Sequence, residues 1–349
     1  MTVTSAPHAN APQALADEGG HGVIVARARH AFRSLLRNLA RSIAIFIPVF
    51  FVATFATFLL RALSGLNPAR IKLGEDATPL EINRIEASYG LDRGFFAQYW
   101  SWFTGVLHGS LGNSWANGYP ISTLIRDGLT ISLTVATLAL ILGVVCGFAL
   151  GALAAVRRTT WIDRGITSFL SVTSVIPAFV IGIILVEVVA VELKLLPSAG
   201  FVPFSQGFWP WLSHVLLPAL ALSLGCMSSV ARQLRAGLIG AYRENYVIGA
   251  VVRGLSPRRI FFRHVLRNGI GPAVAVLGME FPALIGNAVI VETIFALAGF
   301  GQFAYTSAQT GDVPAVQGVL VISIVLVVTF NLIVNMVLGR ISPAARRGV

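Results

Sequence analysis

The segment GLTISLTVATLALILGVVCGFALGALAAV, residues 128–156, contains no Asp, Glu, Lys or Arg. About 20 helical residues cross the hydrocarbon core of a membrane, because each residue adds about 1.5 Å along the helix axis. Further long apolar segments lie at about residues 42–60, 165–191, 212–231, 270–298 and 316–339. The sequence therefore predicts an all-α, polytopic membrane protein with six transmembrane helices.

The composition and the placement of charge agree with this class. Of the 349 residues, 55% are hydrophobic and 12% are charged, with a mean hydropathy of +0.77, whereas soluble domains have about 25% charged residues. The net charge of +11 would suggest a nucleic-acid partner in a soluble protein. However, 19 of the 26 basic residues, with four acids, lie in segments 1–41, 157–164, 232–267 and 340–349. Loops rich in Lys and Arg face the cytoplasm, which predicts N-in and C-in termini and no nucleic-acid partner.

The apolar segments divide the chain into five regions. We predict a cytoplasmic N-terminal tail at 1–41, a first span at 42–61, an external domain at 62–126, a core of five spans at 127–340 and a cytoplasmic C-terminal tail at 341–349. The segment 62–126 is far longer than the roughly two to eight residues that connect neighbouring helices. Within it, Thr78, Pro79 and Glu81 predict a capped helix start. We therefore expect a small folded domain there.

The loop predicted between the fourth and fifth spans, residues 232–271, contains eight of the chain's arginines. The run YVIGAVVR, residues 246–253, predicts a short helix, and Gly254 follows where a helix ends in the left-handed conformation. Ser256 and Pro257 then predict the start of a second helix, as N-cap and first helical residue. A DNA-binding helix-turn-helix has the same outline, but a turn between two membrane spans does not reach a major groove.

At these residues the chain resembles the inner-membrane permeases of ATP-binding-cassette importers, and best the B-type permeases of the oligopeptide and dipeptide branch, which depend on a binding protein. The shared pattern consists of Tyr246, Val247, Ala250, Gly254, Leu255, Ser256, Arg258, Arg259, Arg263, His264, Leu266, Arg267 and Asn268. The resemblance extends from about residue 42 onward through YGLD at 89–92, GSLG at 109–112, VETIF at 291–295 and VQG at 316–318. The chain departs from the family's EAA-type motif at Ile248 and Gly249, and from the branch's frequent basic residues at Ile248 and Val251.

The resemblance implies that the loop is a cytoplasmic coupling helix, which enters a cleft of an ATP-binding subunit. The implied coupling residues are Tyr246, Ala250, Gly254, Leu255, Ser256, Pro257, Arg258, Arg259, Arg263 and His264. Among them we assign the turn to Gly254, the apolar contact to Leu255 and the fixed cation to Arg258 or Arg259. Topology signalling alone would also explain arginines at these positions.

The resemblance further implies a permease core within residues 127–340 and ATP-driven import of peptides by alternating access across the bacterial cytoplasmic membrane. Nickel chelates, glutathione or other small solutes are alternative substrates. The implied partners are a homologous second permease, two cytoplasmic ATP-binding cassette subunits, an extracytoplasmic substrate-binding protein and membrane lipid. The chain itself lacks a G-x-x-x-x-G-K-[ST] loop, since neither Lys72 nor Lys194 follows a glycine. We therefore predict a non-catalytic subunit without a cofactor, with ATP and Mg bound by the partners.

Three acids fall in or near the predicted spans: Glu187, Glu280 and Glu292. Charged side chains are costly there, and they often have a function, so an intramembrane enzyme and an ion-coupled carrier or channel stay open as alternatives. Neither H-E-x-x-H nor G-x-S-x-G occurs, so no metal or nucleophile motif supports the enzyme. Glu292 and Asn287 are our candidates for a translocation path or gate, with helix packing as the alternative for Asn287.

Overall fold

The computed structural model describes residue 44 and residues 46–65, 67–74 and 76–341. The predictions for both tails, which concern residues 1–41 and 341–349, therefore lie outside the described residues, apart from the backbone of Ile341. Two units divide the chain at residue 47, and every contact discussed below lies within the unit Pro48–Val349. The architecture is all-helical, as predicted.

Five helices are long and apolar enough to cross a membrane. They are α1 (Phe46–Ser64), α5 (Ile121–Val156), α8 (Phe208–Tyr242), α12 (Gly271–Ile294) and α14 (Val313–Ile341). A sixth candidate consists of α6 (Trp161–Val175) and α7 (Ala178–Leu185), the latter extended as a π-helix over Val186–Glu192. The described part of the chain thus has five candidate spans, or six if this pair forms one span.

The pair α6 and α7 is bent by 98° at Pro177, although the apolar segment at 165–191 suggested one span. Proline disfavours a helical conformation in the residue before it. Ile176 accordingly has an extended conformation, with φ −75° and ψ 120°, and the helix begins again at Ala178. The predicted third span is therefore not a straight helix.

A row of glycines brings α5 against α8. Gly143, Gly147 and Gly151 recur at four-residue spacing on one face of α5. A Cβ atom on Gly147 would lie 2.9 Å from the Met227 carbonyl oxygen, and one on Gly151 would lie 2.6 Å from the Ala231 carbonyl oxygen. Small residues at this spacing let membrane helices approach closely. These two helices therefore form the centre of the bundle.

We call residues 232–271 the arginine-rich loop, and a second close approach of two backbones lies at its base. The first part of this loop belongs to α8, which ends at Tyr242, and the short helix α11 (Leu266–Gly269) packs against α8 again. A Cβ atom on Gly237 would overlap the carbonyl oxygen of Gly269, and one on Gly269 would lie 2.9 Å from the carbonyl oxygen of Gly237. The two backbones touch, so neither position accommodates a larger residue.

We expect Gly237→Ala to destabilise the chain by about 1–3 kcal/mol, because the added methyl group meets rigid backbone. Gly240→Ala is the matched control: Gly240 lies on the same helix with nothing within 4 Å of its Cβ position, so alanine should stabilise by up to about 1 kcal/mol. Thermal unfolding of the purified chain in detergent measures both changes. Unfolding is monitored by the labelling of the buried Cys226 thiol, in a Cys146→Ser background. Equal melting temperatures for the two variants would contradict the contact.

The connection between α1 and α5 contains three helices, α2 (Pro68–Leu73), α3 (Pro79–Tyr89) and α4 (Phe95–Leu107). The predicted start of α3 is confirmed: the Glu81 amide donates to Thr78 Oγ1 and the Thr78 amide donates to the Glu81 carboxylate at 2.9 Å. The bonds from the Thr78 hydroxyl and amide lower the pKa of Glu81. In α4, the Tyr99 ring packs edge-on against Phe58, so this aromatic helix lies along α1.

Buried Asp312, just before α14, fixes the end of this connection. Its carboxylate accepts hydrogen bonds from the Ser114 hydroxyl and from the amides of Trp115 at 3.1 Å and Ala116 at 3.3 Å. It also accepts from the Ala315 amide at 3.3 Å, in the first turn of α14. One carboxylate therefore joins the segment before α5 to the start of the last helix.

Candidate functional site

The arginine-rich loop contains a helix that ends in a well-defined turn. The helix α9 covers Asn245–Val252, and Gly254 follows with φ +74°. The Gly254 amide donates to the Val251 carbonyl at 2.8 Å, and the Leu255 amide donates to the Ala250 carbonyl at 3.2 Å. This pair of bonds is the Schellman arrangement, which glycine favours because it adopts positive φ without strain. The turn predicted at Gly254 is present.

The second half of the loop restarts as predicted at Pro257. Helix α10 covers Pro257–Ile260, continues as a π-helical turn over Phe261–Val265 and leads into α11. Ser256 occupies the N-cap position with an extended backbone, and its carbonyl accepts from the Ile260 amide at 3.0 Å. Its side chain makes no capping hydrogen bond, so Ser256 acts here through its backbone.

The inner face of α9 packs against the rest of the chain. Val247 and Ala250 are buried in the same apolar cluster as Leu234 and Leu238 of α8, and Tyr246 and Leu255 pack against that cluster. Burial raises the pKa of Tyr246. Leu255, which we assigned as the apolar contact for a partner, is half-buried and packs partly against this cluster, and its assignment stays a prediction.

The outer face of α9 carries three exposed aliphatic side chains instead. Ile248 is 59% exposed, Val251 60% and Val252 82%. They stand three and four residues apart, which places them on one side of a helix. The sequence analysis did not group these three positions, although their helical spacing was a usable signal. We call Ile248, Val251 and Val252 the α9 ridge.

Exposed arginines follow the α9 ridge in the sequence of the loop. They are Arg253, Arg258, Arg259, Arg263 and Arg267. None of them forms an ion pair within the described residues. His264 is only half-buried, and its carbonyl accepts from the Asn268 side chain at 2.8 Å. The site therefore combines an exposed apolar ridge with a positively charged margin.

Other arginines of the loop have structural partners. Arg235 forms two parallel hydrogen bonds with buried Asp163 at the start of α6, at 2.7 and 2.8 Å. The Arg232 guanidinium donates to the Leu170 carbonyl at 3.4 Å. Bidentate pairs of this kind fix geometry as well as charge. The eight arginines thus divide into some that hold α6 against α8 and others that are available to a partner.

Glu292, a candidate for the translocation path or gate, lies buried in the last turn of α12. Its side chain is 1% exposed, and its carboxylate accepts from the Ser132 hydroxyl of α5 and from the Gln302 amide at 2.9 Å. The Phe300 amide in turn donates to Ser132 Oγ at 2.8 Å, at the start of α13 (Phe300–Gln309). Glu292 therefore joins α5, α12 and α13 in this structure, and its role in a translocation path or gate stays a prediction.

Asn287 is exposed on α12, one turn and a half before Glu292. The two residues are not brought together, because Asn287 faces away from the buried Glu292 network. Within the described residues, no group of three or more His, Cys, Asp or Glu side chains is placed to hold a metal ion. The candidate site is therefore the surface of α9 and its flanking arginines.

The bundle of apolar helices defines a polytopic membrane protein, and α9 with its Gly254 turn is its candidate surface for a partner. Comparison with family models matches residues 147–347 to the "binding-protein-dependent transport system inner membrane component" and residues 32–136 to the N-terminal region of such components. The chain belongs to this family. It is a permease subunit of an ABC importer and a multi-pass protein of the inner membrane, and it is not itself an enzyme.

Individual relatives agree with this membership. A probable peptide ABC transporter permease protein, y4tP of Sinorhizobium fredii, is 33% identical over 312 residues, which cover 89% of this chain and 98% of the relative. The glutathione transport system permease protein GsiC of Escherichia coli O6:H1 is 29% identical over 86% of this chain and 95% of its own length. An inward-facing structure of the MetNI methionine ABC transporter matches 63% of this chain and 97% of its own, with a TM-score of 0.52 and 17% identity. That last likeness concerns the fold alone.

Proposed function

We propose that this chain is the B-type permease of an importer that moves short peptides inward by alternating access. A homologous second permease would complete the passage, two ATP-binding cassette subunits would bind ATP and Mg, and an extracytoplasmic binding protein would deliver the substrate. The termini and the arginine-rich loop would face the cytoplasm, with six spans if α6 and α7 cross as one. The positive-inside distribution of arginine supports this orientation.

The observation that carries the proposal is the form of the α9 ridge. Three exposed aliphatic side chains stand on a short helix whose opposite face is buried and whose end is fixed by the Gly254 turn. Exposed apolar groups with a polar margin mark protein interaction sites. A helix held on one side and ended by a defined turn also moves with its support, which coupling to an ATP-binding subunit requires.

The chemistry of the ridge specifies the surface that would receive it. Ile248, Val251 and Val252 need an apolar floor, and burying each contributes about 1.5–3 kcal/mol. Arg258 and Arg259 need carboxylates or carbonyl oxygens at the rim of the groove. We therefore assign the coupling role to the ridge together with Arg253, Arg258, Arg259 and Arg263, with Tyr246, Ala250, Gly254, Leu255, Ser256, Pro257 and His264 as its support.

Short peptides are the substrate class that we favour. Two observations support it: the shared pattern of the arginine-rich loop, and the names of the relatives, a probable peptide permease and a glutathione permease. Glutathione is itself a small peptide derivative, so both names indicate related chemistry. We place Asn287 in the passage, because it is an exposed amide on a membrane helix.

We expect Val251→Asp, and separately Ile248→Asp, to reduce co-purification of the ATP-binding subunit by tenfold or more, since a carboxylate would be buried against an apolar floor. The experiment purifies the tagged chain from its native membrane in mild detergent and quantifies the ATP-binding subunit by mass spectrometry. The matched control is Leu80→Asp, which places the same charge at an 81% exposed apolar residue of α3, in the connection proposed to be external.

Loss of the ATP-binding subunit in the two α9 variants, with normal recovery in the Leu80 variant, would support the proposed function. Equal recovery in all three would show that the α9 ridge does not contact the partner. Recovery of the wild-type chain without any ATP-binding subunit would instead favour an ion-coupled carrier.

A further inference from the structure

A cleft of about 390 Å³ lies where the end of α1 meets the connection between α1 and α5. Its walls come from α1, α2, α3 and α4, and four polar side chains reach it: Arg61, Asn67, Glu86 and Gln98. Apolar side chains, among them Leu91 and Phe95, complete the lining. This size and this mixture of a few polar groups with apolar walls are typical of small-molecule sites.

Arg61 provides a positive charge that its surroundings do not neutralise. Its Nη2 donates to Gln98 Oε1 at 2.7 Å, and its guanidinium carbon lies 5.9 Å from the centre of the Trp115 ring. Its Nε is buried and has no hydrogen-bond partner, and no acid pairs with it within the described residues. A buried donor without a partner is unfavourable, so an acceptor from a ligand would improve this site.

Glu86 provides the opposite charge at another wall of the same cleft. Its Oε1 accepts a hydrogen bond from Asn67 Nδ2 at 2.5 Å, which fixes the orientation of the carboxylate. No cation pairs with it within the part of the chain that the structure describes. The cleft therefore holds one fixed positive group and one fixed negative group that do not pair with each other.

We propose that this cleft binds a small zwitterionic ligand, with its anionic group beside Arg61 and its ammonium group beside Glu86. A short peptide carries a carboxylate and an ammonium group at its ends, and this source rests on the proposed function. The headgroup of phosphatidylethanolamine carries a phosphate and an ammonium group, and this source does not. No residue of α9 lines the cleft. Binding of the ligand can therefore be measured on the purified chain alone, without the ATP-binding subunit.

The experiment measures binding to the purified full-length chain in a non-ionic maltoside detergent. Dialanine is the zwitterionic probe, and N-acetyl-dialanine and dialanine amide each lack one of its charges. Phosphatidylethanolamine is tested separately by native mass spectrometry, with phosphatidylglycerol as a lipid that lacks the ammonium group. Melting temperatures recorded in parallel verify that each variant is folded.

We expect Arg61→Gln and Glu86→Gln each to weaken binding about tenfold or more, because each removes one charge-assisted contact. Glu86→Gln retains a side-chain oxygen that can accept the hydrogen bond from Asn67 Nδ2. The control is Arg84→Gln, on the same helix α3 as Glu86 but outside the cleft. It should bind as the wild-type chain does.

The possible outcomes distinguish a peptide ligand, a lipid ligand and the failure of the proposal. Saturable binding of dialanine, weakened in both cleft variants and by blocking either end of the probe, assigns the site to free peptides. Binding of phosphatidylethanolamine alone, lost in the same variants, assigns it to lipid. Absence of binding by both probes, or equal binding by wild-type chain and cleft variants, overturns the proposal while leaving the proposed function intact.

Discussion

We expect Gly254→Val to abolish the proposed peptide uptake while the chain still inserts in the membrane. Gly254 has φ +74°, and no atom lies within 4 Å of its Cβ position, so the substitution acts through the backbone conformation alone. A left-handed conformation costs an ordinary residue about 1–2 kcal/mol, and a β-branched residue tolerates it least. The turn would therefore open, and α9 would lose its fixed position relative to α10.

The measurement is uptake of a labelled short peptide by membrane vesicles that contain the complete importer. Gly249→Val is the matched control, because Gly249 lies within α9, has an ordinary helical conformation and also has open space at Cβ. Gly254→Asn should retain most activity, since asparagine tolerates positive φ. Wild-type uptake by the Gly254→Val variant, with normal amounts in the membrane, would refute the role of the turn.

Glu292→Ala should destabilise the chain by about 3 kcal/mol or more. The carboxylate is buried and accepts from the Ser132 hydroxyl and the Gln302 amide. Each buried donor that loses its acceptor costs about 1–3 kcal/mol. The start of α13 would lose its hydrogen-bonded link to α12, and only the link from the Phe300 amide to Ser132 and the apolar packing of Phe300 would remain.

Thermal unfolding in detergent, measured as for Gly237, tests this loss. The matched control is Glu280→Ala, which removes another acid from α12. The Glu280 side chain has no hydrogen-bond partner within the described residues. Ser132→Ala should have an intermediate effect, since it removes one donor and leaves the Phe300 amide without its acceptor. A melting temperature of Glu292→Ala equal to that of Glu280→Ala would rule out the network as a stabilising element.

The local signals in the sequence gave reliable predictions where the decisive interactions are also local. Runs of apolar residues predicted the long helices, and the Gly254 and Pro257 pair predicted the turn and the new helix start. The end of α8 was harder to predict from the sequence. The apolar segment at 212–231 marks the part suited to lipid, whereas the helix continues through Arg235 to Tyr242, because hydropathy does not register where hydrogen bonding ends.

The prolines show why the bend could not be predicted. Pro218 and Pro282 lie inside continuous helices, whereas α6 and α7 meet at Pro177 with a bend of 98° between them. Proline removes one backbone hydrogen bond in each case, and neighbouring helices decide whether the helix continues. The sequence around one proline does not contain that information.

Long-range partners explain the remaining differences. Both faces of α9 are apolar, so the sequence did not reveal that Leu255 packs partly against the buried cluster and that Val251 points outward. Glu292 meets Ser132, which is 160 residues earlier in the chain. Such a pair becomes visible only when α5 and α12 lie side by side. The glycine row of α5 can be seen in the sequence, but the helix that packs against it cannot.

The contact between Gly237 and Gly269 has a mechanical consequence. The helix α8 has 35 residues and is therefore about 50 Å long, and it continues without interruption from Phe208 to the base of the arginine-rich loop. Because the backbone of α11 touches that of α8, we expect the base of the loop to move together with this helix. A tilt of about 5° at the loop would thus displace the far end by about 4 Å, so small movements at one surface become ångström-scale movements at the other.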